Sequence, residues 1–404
     1  MRIALATVGT TGDVRPFLSL AERLARAGHA VRAVSWELYR PAFEARGIGF
    51  TAAGPATTAE DIAAAAERAA AERSPLAQVA VLRDFHLRDA LEHHRALREA
   101  LAGHELVVLH GIHSLAEAAV RDIGARWATA VFDPVLLPTA TAPPAGMPNL
   151  GPLNRLGWWM LNRMLSGQDA PLREALRAAS PSVDAIRLFR ARSPLLHLVA
   201  CSPHLAVVPG DLSPATHFTG AWTDASPPAP LPERVAAFLH AGAPPVAVTF
   251  GSMAVEDRDT LADTVASALR AAGRRGVVQG LAPAGDDLLA AGELDHRALF
   301  PRVVAVVHHG GAGTTHAAAR AGVPQVVVPH VGDQRYWADR VRRLGIGPVP
   351  VPVDRLTPDV LAERIRTATQ DHGMRARAMD LAAAMTDEDG AASAVRLLEE
   401  TAEA

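Results

Sequence analysis

A glycine-rich segment, residues 308–315, has the residue types and order of an anion-binding turn. The run His308-His309-Gly310-Gly311-Ala312-Gly313-Thr314-Thr315 follows the buried-strand pattern Val303–Val307 and precedes helical spacing. Backbone N–H groups and the helix dipole bind anions at such a junction. Thr314 and Thr315 are expected to cap the helix and donate hydroxyls to phosphate, and His309 to donate a hydrogen bond or carry positive charge. The pattern is equally consistent with an ordinary tight turn.

Polar residues also follow the next predicted strand, Gln325–Pro329. Asp333 and Gln334 lie just beyond its end. A carboxylate beside an amide offers the acceptors and donors that sugar hydroxyls need. The strand closes on Val328-Pro329 rather than on an acidic residue, and the chain has no G-x-G-x-x-G at the turn, so a nicotinamide dinucleotide is disfavoured.

The first half of the chain offers acid–base candidates after predicted strands. Asp13 stands at a strand-to-helix turn, where a helix N-cap is the simplest interpretation. His110 and His113 follow a second strand, and Asp133 follows a third. The two histidines either line a ligand pocket, assist Asp13, or are packed or solvent-facing residues, and the same alternatives are open for Asp133.

Two tryptophans form a further candidate cluster. Trp158 and Trp159 lie in the segment Leu156–Leu165, together with Met160 and Met164, after a loop rich in Pro, Gly and Thr. Helix packing is the simpler interpretation of this cluster. Contact with a bound small molecule is the alternative.

Alternating strands and helices position these candidates. The predicted strands are Ile3–Thr7, Ala30–Ser35, Leu106–Leu109, Thr129–Phe132, Val246–Phe250, Gly276–Gln279, Val303–Val307 and Gln325–Pro329. The predicted helices include Ala59–Arg73, Leu87–Ala102, Thr260–Ala272, Thr314–Ala321 and Ala391–Leu398. This order predicts an α/β fold with two βαβ halves, each built on a parallel sheet, and ligands at the carboxyl ends of the strands.

Composition excludes several classes of protein. The 404 residues suit two domains, and the net charge of −3 gives no nucleic-acid footprint. All of the positive side chains counted are arginine, so a Schiff-base or phosphate-loop lysine is impossible. The single cysteine, Cys201, excludes an intrachain disulfide. No apolar run is long enough for a signal peptide or a membrane span, so we expect a cytoplasmic protein, and the Ala, Arg and Pro richness indicates a GC-rich bacterial genome.

Four segments together resemble family 1 glycosyltransferases, in the bacterial branch that modifies antibiotics and sterols. They are LATVGTTGDVRPFLSLAERLARAGHAV near the start, VAVTFGSM at Val246–Met253, ALFPRVVAVV at Ala298–Val307, and HHGGAGTTHAAARAGVPQVVVPHVGDQRYWADRV. The resemblance implies a GT-B fold of two Rossmann-like domains that face each other across a cleft. Residues 1–213 would be the acceptor-binding domain, 214–235 a linker, 236–385 the nucleotide-sugar domain, and 386–404 a helix packing back toward the first domain.

The resemblance also assigns site residues. Asp13, in Gly12-Asp13-Val14-Arg15-Pro16, would be the general base, a role compatible with helix capping. Donor contacts would come from Ser252, Met253, Leu294, Asp295, His309, Gly311, Ala312, Gly313, Thr314, Asp333 and Gln334. Acceptor contacts would come from Thr10, Thr11, His110, His113, Asp133, Trp158 and Trp159. Ala317 replaces the ribose-binding glutamate of the plant branch, so UDP and dTDP both stay open.

The expected reaction is a direct displacement with inversion at the anomeric carbon. Asp13 would take the acceptor proton, and the glycine-rich turn would stabilise the departing diphosphate. We expect no metal and no cofactor besides the nucleotide sugar, no nucleic-acid partner, and a monomer or homodimer. A nucleotide-sugar 2-epimerase of the same fold and a non-catalytic relative are the alternatives.

Overall fold

The computed structural model describes residues 1–72, 74–135, 137–144, 147, 149–251 and 258–403. Its strands are β1 (Arg2–Ala6), β2 (Ala30–Ser35), β3 (Gly49–Ala52), β4 (Leu106–His110), β5 (Trp127–Val131), β6 (His197–Val199), β7 (Thr216–Phe218), β8 (Val246–Thr249), β9 (Gly276–Gln279), β10 (Leu288–Ala291), β11 (Ala305–His308) and β12 (Gln325–Val327).

The helices alternate with these strands along the chain. They are α1 (Thr11–Arg26), α2 (Arg40–Glu44), α3 (Ala59–Ala71), α4 (Pro75–His86), α5 (Ala90–Leu101), α6 (Ser114–Asp122), α7 (Asn154–Leu165), α8 (Asp169–Leu176), α9 (Glu233–His240), α10 (Arg258–Ala271), α11 (His296–Leu299), α12 (Ala312–Arg320), α13 (Gln334–Arg343), α14 (Pro358–Gln370), α15 (His372–Ala384) and α16 (Gly390–Glu403). Short 3₁₀ turns lie at Glu37–Tyr39, Gly151–Leu153, Ser166–Gln168, Val183–Ala185, Phe300–Arg302 and Val353–Arg355. In the part of the chain that the structure describes, no helix is long and apolar enough to cross a membrane.

Two compact units divide the chain, each around one sheet. The first unit comprises Met1–Pro203, Val207–Ala225 and Asp389–Ala404, and the second comprises His204–Ala206 and Ser226–Glu388. The sheet of the first unit has the order β3-β2-β1-β4-β5-β6-β7, and that of the second has β10-β9-β8-β11-β12. Every observed strand pair is parallel, from β1 beside β2 and β4 to β11 beside β8 and β12. The α/β class with two Rossmann-like sheets is therefore confirmed.

The central strands are apolar because helices cover both faces of a parallel sheet. β4 is buried along its whole length, as is β8. α1 packs its Phe17, Leu20 and Leu24 into the core of the first unit. The last helix, α16, joins the same core through Ala394 and Leu398. The first unit is therefore completed by the end of the chain.

The boundary region differs from the sequence-based expectation. Residues 214–235 were expected to be a linker, but Thr216–Phe218 forms the edge strand β7 beside β6. The short strand carries no alternation strong enough to mark it in the sequence, and its pairing partner β6 supplies the hydrogen bonds that define it.

The strand order of each sheet changes direction at one point, where parallel sheets bind ligands. In the first unit this point lies between β1 and β4, and in the second it lies between β8 and β11. Asp13 follows β1, His110 ends β4, and His309 follows β11. The topology thus places the predicted base and the predicted anion turn each at the ligand-binding edge of its own sheet.

Candidate active site

The first turn of α1 holds the carboxylate of Asp13. The backbone N–H of Thr10 donates to Asp13 Oδ2 at 2.7 Å, and the Thr10 hydroxyl donates to the same oxygen at 2.9 Å. The N-cap is Thr10, and Asp13 occupies the third helical position in a capping box. The interpretation of Asp13 as the N-cap itself is therefore wrong. With 28% of its side chain exposed, the carboxylate is fixed in direction and still within reach of a ligand.

Gly9 makes room for this carboxylate, and the sequence analysis did not single it out. Its φ is +116°, and a Cβ there would lie 2.4 Å from Asp13 Oδ2. The Tyr39 hydroxyl donates to the Gly9 carbonyl at 2.7 Å. Burial, aided by the charge of Asp13, raises the pKa of Tyr39, so the phenol keeps its proton and this hydrogen bond. In the sequence, the first glycine of the run V-G-T-T-G-D, four residues before Asp13, indicates that a side chain would not fit at this position.

The imidazole of His110 faces the Asp13 carboxylate. Its Nε2 lies 3.9 Å from Asp13 Oδ1, and its Nδ1 lies 3.4 Å from the Val8 carbonyl oxygen. Burial lowers the pKa of His110, although Asp13 and the Val8 carbonyl oppose that shift. The imidazole is consequently neutral at neutral pH, with Nδ1 as the donor to Val8.

Asp133 is a second carboxyl group whose pKa responds to the charge of Asp13. Burial raises its pKa to about 6, the N–H of Val135 opposes the rise, and the charge of Asp13 adds to it. Val135 N–H donates to Asp133 Oδ1 at 2.8 Å. Asp13 therefore shifts the pKa of both His110 and Asp133 at the carboxyl ends of β1, β4 and β5, a pattern typical of functional sites.

His113 is placed differently from His110. It is fully buried, and its ring centroid lies 5.4 Å from that of His93 and 6.3 Å from that of His86. Both ring nitrogens of His113 and of His93 lack hydrogen-bond partners among the described residues. The role of His113 as an acceptor contact stays a prediction.

The buried histidines predict that acid destabilises the protein. Burial lowers the pKa of His86 to about 3 and of His93 to about 4, from an ordinary 6.5. At a pH between the lowered pKa values and 6.5, the unfolded chain binds more protons than the folded one. The free energy of unfolding therefore falls as the pH drops below 6.5. Thermal unfolding at pH 7 and pH 5 should show a lower midpoint at pH 5. His93→Phe should shrink that difference, and an unchanged difference would contradict the assignment.

The two tryptophans of α7 point in different directions. Trp158 is buried and donates from Nε1 to the Ala142 carbonyl at 2.8 Å, as helix packing predicts. Trp159 is 62% exposed. Thr11, at the start of α1, is exposed as well. Acceptor contacts by these residues stay predictions.

In the second unit, a rigid turn links β11 to α12. His308 is buried, receives the Gly310 N–H on Nδ1 at 3.1 Å and contacts Gln325 Oε1 through Nε2 at 2.9 Å. Gly310 has a φ of +92°, and a Cβ there would lie 2.8 Å from Val327 Cγ1. His308, Gly310 and Gln325 thus shape the turn, and Gln325 was expected only as the first residue of the following strand.

The helix after this turn begins earlier than expected. Gly311 is the N-cap, and α12 includes Ala312, Gly313 and Thr314 in its first turn. The expectation that Thr314 and Thr315 cap the helix is wrong. Thr315 is buried and donates its hydroxyl to the Gly311 carbonyl at 2.8 Å, so it is not placed for phosphate. The first N–H groups of a helix have no intrahelical acceptor, and here they belong to the glycine-rich residues.

His309 packs over the glycines of this turn. A Cβ on Gly311 would lie 2.5 Å from His309 Nε2, and one on Gly251 would lie 3.0 Å from Cε1. Its Nδ1 has no hydrogen-bond partner among the described residues. Burial, followed by the neighbouring His330 and His296, lowers its pKa to about 4. His309 was expected either to donate a hydrogen bond or to carry a positive charge. In the ligand-free protein its imidazole is neutral at neutral pH, so it is not a cation there.

Asp333 and Gln334 form the start of α13. Gln334 Oε1 accepts from the backbone N–H groups of His330 at 2.7 Å and Val331 at 3.1 Å. Asp333 Oδ2 accepts from Trp337 Nε1 at 3.1 Å. Both side chains shape the loop that follows β12, and their contact with a sugar stays a prediction.

Leu294 and Asp295 lie at the start of α11. Leu294 N–H donates to Gln279 Oε1 at 3.1 Å, and Asp295 caps α11 and pairs with Arg297 at 2.7 Å. Burial raises the pKa of Asp295, but Arg297 and the N–H of Ala229 outweigh it and hold that pKa at about 2. Contact with a nucleobase stays a prediction. Ser252 and Met253 lie outside the described residues.

The described part of the chain contains no group of three His, Cys, Asp or Glu side chains arranged to hold a metal ion. One Rossmann-like unit holds an oriented carboxylate at the ligand-binding edge of its sheet, and the other holds a glycine-rich turn at the N-terminus of a helix. Each feature by itself suits enzymes that bind nucleotide-activated substrates.

Comparison with known proteins defines the family. Residues 3–60 match the glycosyltransferase family 28 N-terminal domain, and residues 275–401 match the C-terminal domain of erythromycin biosynthesis protein CIII-like proteins. The chain is 34% identical to O-mycaminosyltylonolide 6-deoxyallosyltransferase of Streptomyces fradiae, over 100% of this chain and 98% of that one. It is 34% identical to vancomycin aglycone glucosyltransferase of Amycolatopsis orientalis, over 98% and 97%.

Solved structures agree on the fold. The glycosyltransferase VinC in complex with dTDP aligns over 100% of both chains, with a TM-score of 0.68 and 21% identity. The chain belongs to this family of GT-B glycosyltransferases and is a sugar-transferring enzyme. The relatives favour transfer over the epimerase alternative.

Proposed function

We propose that this enzyme transfers a sugar, with inversion, from a dTDP- or UDP-sugar to a hydroxyl group of a lipophilic natural product. The observation that carries the proposal is the Asp13 carboxylate, which Thr10 holds through Oδ2 at the ligand-binding edge of the first sheet. A carboxylate so oriented suits a general base. Two relatives, O-mycaminosyltylonolide 6-deoxyallosyltransferase and vancomycin aglycone glucosyltransferase, support the acceptor class.

The reaction proceeds in one displacement. Asp13 Oδ1 takes the proton of the acceptor hydroxyl while that oxygen forms a bond to the anomeric carbon. The bond between the anomeric carbon and the diphosphate breaks, and the nucleoside diphosphate leaves with the electron pair. His110 Nε2, 3.9 Å from Oδ1, has a lone pair in the tautomer that donates from Nδ1 to Val8, and it receives the proton from Asp13 afterwards.

The diphosphate binds at the turn between β11 and α12. The N–H groups of Gly311, Ala312 and Gly313 are at the positive end of the helix dipole, where negative charge is stabilised. The relative whose solved structure holds dTDP supports a thymidine nucleotide as one donor. Asp333 and Gln334 would position the sugar from the loop after β12. Charge stabilisation by these groups needs no metal ion.

Nucleotide binding should take up a proton at His309. The pKa of this residue, about 4 without ligand, rises when a diphosphate supplies negative charge beside it. Affinity for dTDP should therefore increase as the pH falls through the higher pKa of the complex toward 4. Calorimetric titrations in two buffers of different ionisation enthalpy measure the uptake. His309→Asn, which keeps a donor, should remove the extra proton, and equal uptake by both proteins would rule out this role.

The transfer assay tests the proposed function. The enzyme is incubated with dTDP- and UDP-sugars and a panel of hydroxylated macrolides, glycopeptide aglycones and sterols, with and without EDTA. We expect nucleoside diphosphate release that depends on an acceptor and persists with EDTA. Release with none of the acceptors would favour a non-catalytic relative, and an epimerised sugar nucleotide would favour an isomerase.

A further inference from the structure

The segment around α7 carries about half of the large apolar side chains that are exposed among the described residues. Among the described residues, thirteen large apolar side chains are exposed, and seven of them lie between Met147 and Met164. A concentration of this kind marks an interaction surface, because single exposed apolar residues are scattered on ordinary surfaces. Five of the seven, Leu153, Leu156, Trp159, Met160 and Met164, are called the α7 face.

Helical spacing places the α7 face on one side of the helix. Leu156 and Met160 are four residues apart, as are Met160 and Met164, and Leu153 precedes Leu156 by three, so all lie along one stripe. Trp159 follows Leu156 by three residues and lies beside this stripe on the same side of the helix. The stripe lies on the solvent-exposed side of α7, which it shares with Arg155 and Arg163.

Contacts on the inner side fix this orientation. Trp158 donates to the Ala142 carbonyl at 2.8 Å. Buried Asn154 donates to the Ala140 carbonyl at 3.0 Å and accepts the N–H of Leu150 at 2.9 Å. Arg190 donates to Asn162 at 3.0 Å. The helix is therefore anchored by one side, and the apolar stripe is the side that is left to meet a partner.

The charge of the segment indicates the kind of partner. The sequence has no Asp or Glu between Asp133 and Asp169, whereas Arg155 and Arg163 are both exposed on α7. Arg155 lies 3.5 Å from Asp211, which belongs to a distant part of the sequence. Arginine stems can lie along an apolar surface while their guanidinium groups reach anionic groups at its border.

We propose that the α7 face docks onto the surface of an anionic phospholipid bilayer. Leu156, Trp159 and Met160 share the exposed side of α7 with Arg155 and Arg163, and the helix itself carries no acidic residue, which is the composition of helices that lie in the membrane interface. A second copy of this chain fits less well, because a two-fold contact through the same face would bring the Arg163 side chains of both helices together, and the segment supplies no acidic partner for them. Trp159 then contacts lipid, and this accounts for its exposure.

Vesicle co-sedimentation tests the docking. The full-length protein is mixed with vesicles of phosphatidylcholine alone or with added phosphatidylglycerol. We expect binding to the anionic vesicles that weakens with salt, and about tenfold or greater loss of affinity in Met160→Gln/Met164→Gln. The control is Val349→Gln/Met379→Gln, which removes similarly exposed apolar side chains in the second unit and should bind like the unaltered protein. Thermal unfolding and dTDP affinity verify that each variant is folded.

Arg163→Gln tests the electrostatic part, and it should reduce the preference for anionic over neutral vesicles. Absence of binding to both vesicle types, or equal binding by the α7 and control variants, would overturn the proposal. So would a concentration-dependent dimer in sedimentation velocity that Met160→Gln/Met164→Gln dissociates, since the α7 face would then be a self-interface. None of these outcomes depends on transfer activity, so the docking and the proposed function can fail separately.

Discussion

Asp13→Asn is expected to lower kcat by about 10²–10⁴-fold, the range typical of losing a general base. The asparagine oxygen can still accept the two hydrogen bonds that Thr10 donates, so the first turn of α1 keeps its geometry. The amide cannot take a proton from the acceptor hydroxyl. Affinity for dTDP should stay unchanged because the anion turn belongs to the other unit. Initial rates and calorimetric titration measure the two effects.

The chain contains a matched control for this substitution. Asp61 accepts the N–H of Thr58 at 2.9 Å and its hydroxyl at 3.1 Å, in the same capping arrangement at the start of α3. Asp61→Asn removes the same charge from a helix N-terminus without touching the site. It should keep kcat, and both variants should show a small loss of stability, because each loses a negative charge at the positive end of a helix dipole. Unchanged turnover in Asp13→Asn, or equal losses in both variants, would exclude Asp13 as the base.

Gly310→Ala is expected to have the second large effect, on stability and donor binding together. The φ of +92° is unfavourable for alanine by about 1–3 kcal/mol. The added Cβ would lie 2.8 Å from Val327 Cγ1 and 2.9 Å from the Gln334 carbonyl oxygen, which adds about 1–3 kcal/mol of overpacking. Because the turn carries the anion site, dTDP binding should be lost as well. Urea unfolding and dTDP titration measure both.

Gly313→Ala is the comparison for this prediction. Gly313 lies in the first turn of α12, and a Cβ there meets no atom within 4 Å. Alanine should stabilise the helix by about 0.5–1 kcal/mol. Its effect on dTDP affinity reports how closely the phosphate approaches this backbone. A Gly310→Ala protein as stable as Gly313→Ala would contradict the account of the turn.

Sequence patterns predicted the elements that are long or central. Ala30–Ser35 and Gly276–Gln279 have the predicted bounds as β2 and β9, and each contains two valines, which favour a strand. β3, β6, β7 and β10 were not predicted, since they have three or four residues and no clear period. α13 and α14 were missed because charged residues dominate the first and the apolar stripe of the second is short.

The parts of the site that depend only on which residue follows which strand could be predicted from the sequence. The glycine-rich turn, Asp13 and His110 each lie where the strand order predicts a ligand. The burial of individual side chains and the residue at which α12 begins could not be predicted from the sequence. His309 is neutral because of the surroundings that bury it, and Thr315 turns inward because α12 begins at Ala312 rather than at Thr314.

The anomeric configuration of the product tests the central claim most directly. A single displacement in which Asp13 deprotonates the acceptor inverts the anomeric carbon, so an α-linked sugar nucleotide should give a β-glycoside. The coupling constant of the anomeric proton in the NMR spectrum of the purified product reports the configuration. Inversion, with no product from Asp13→Asn, is the predicted result. Retention of configuration would contradict the mechanism, because it requires a second displacement that an Asp13 general base does not provide.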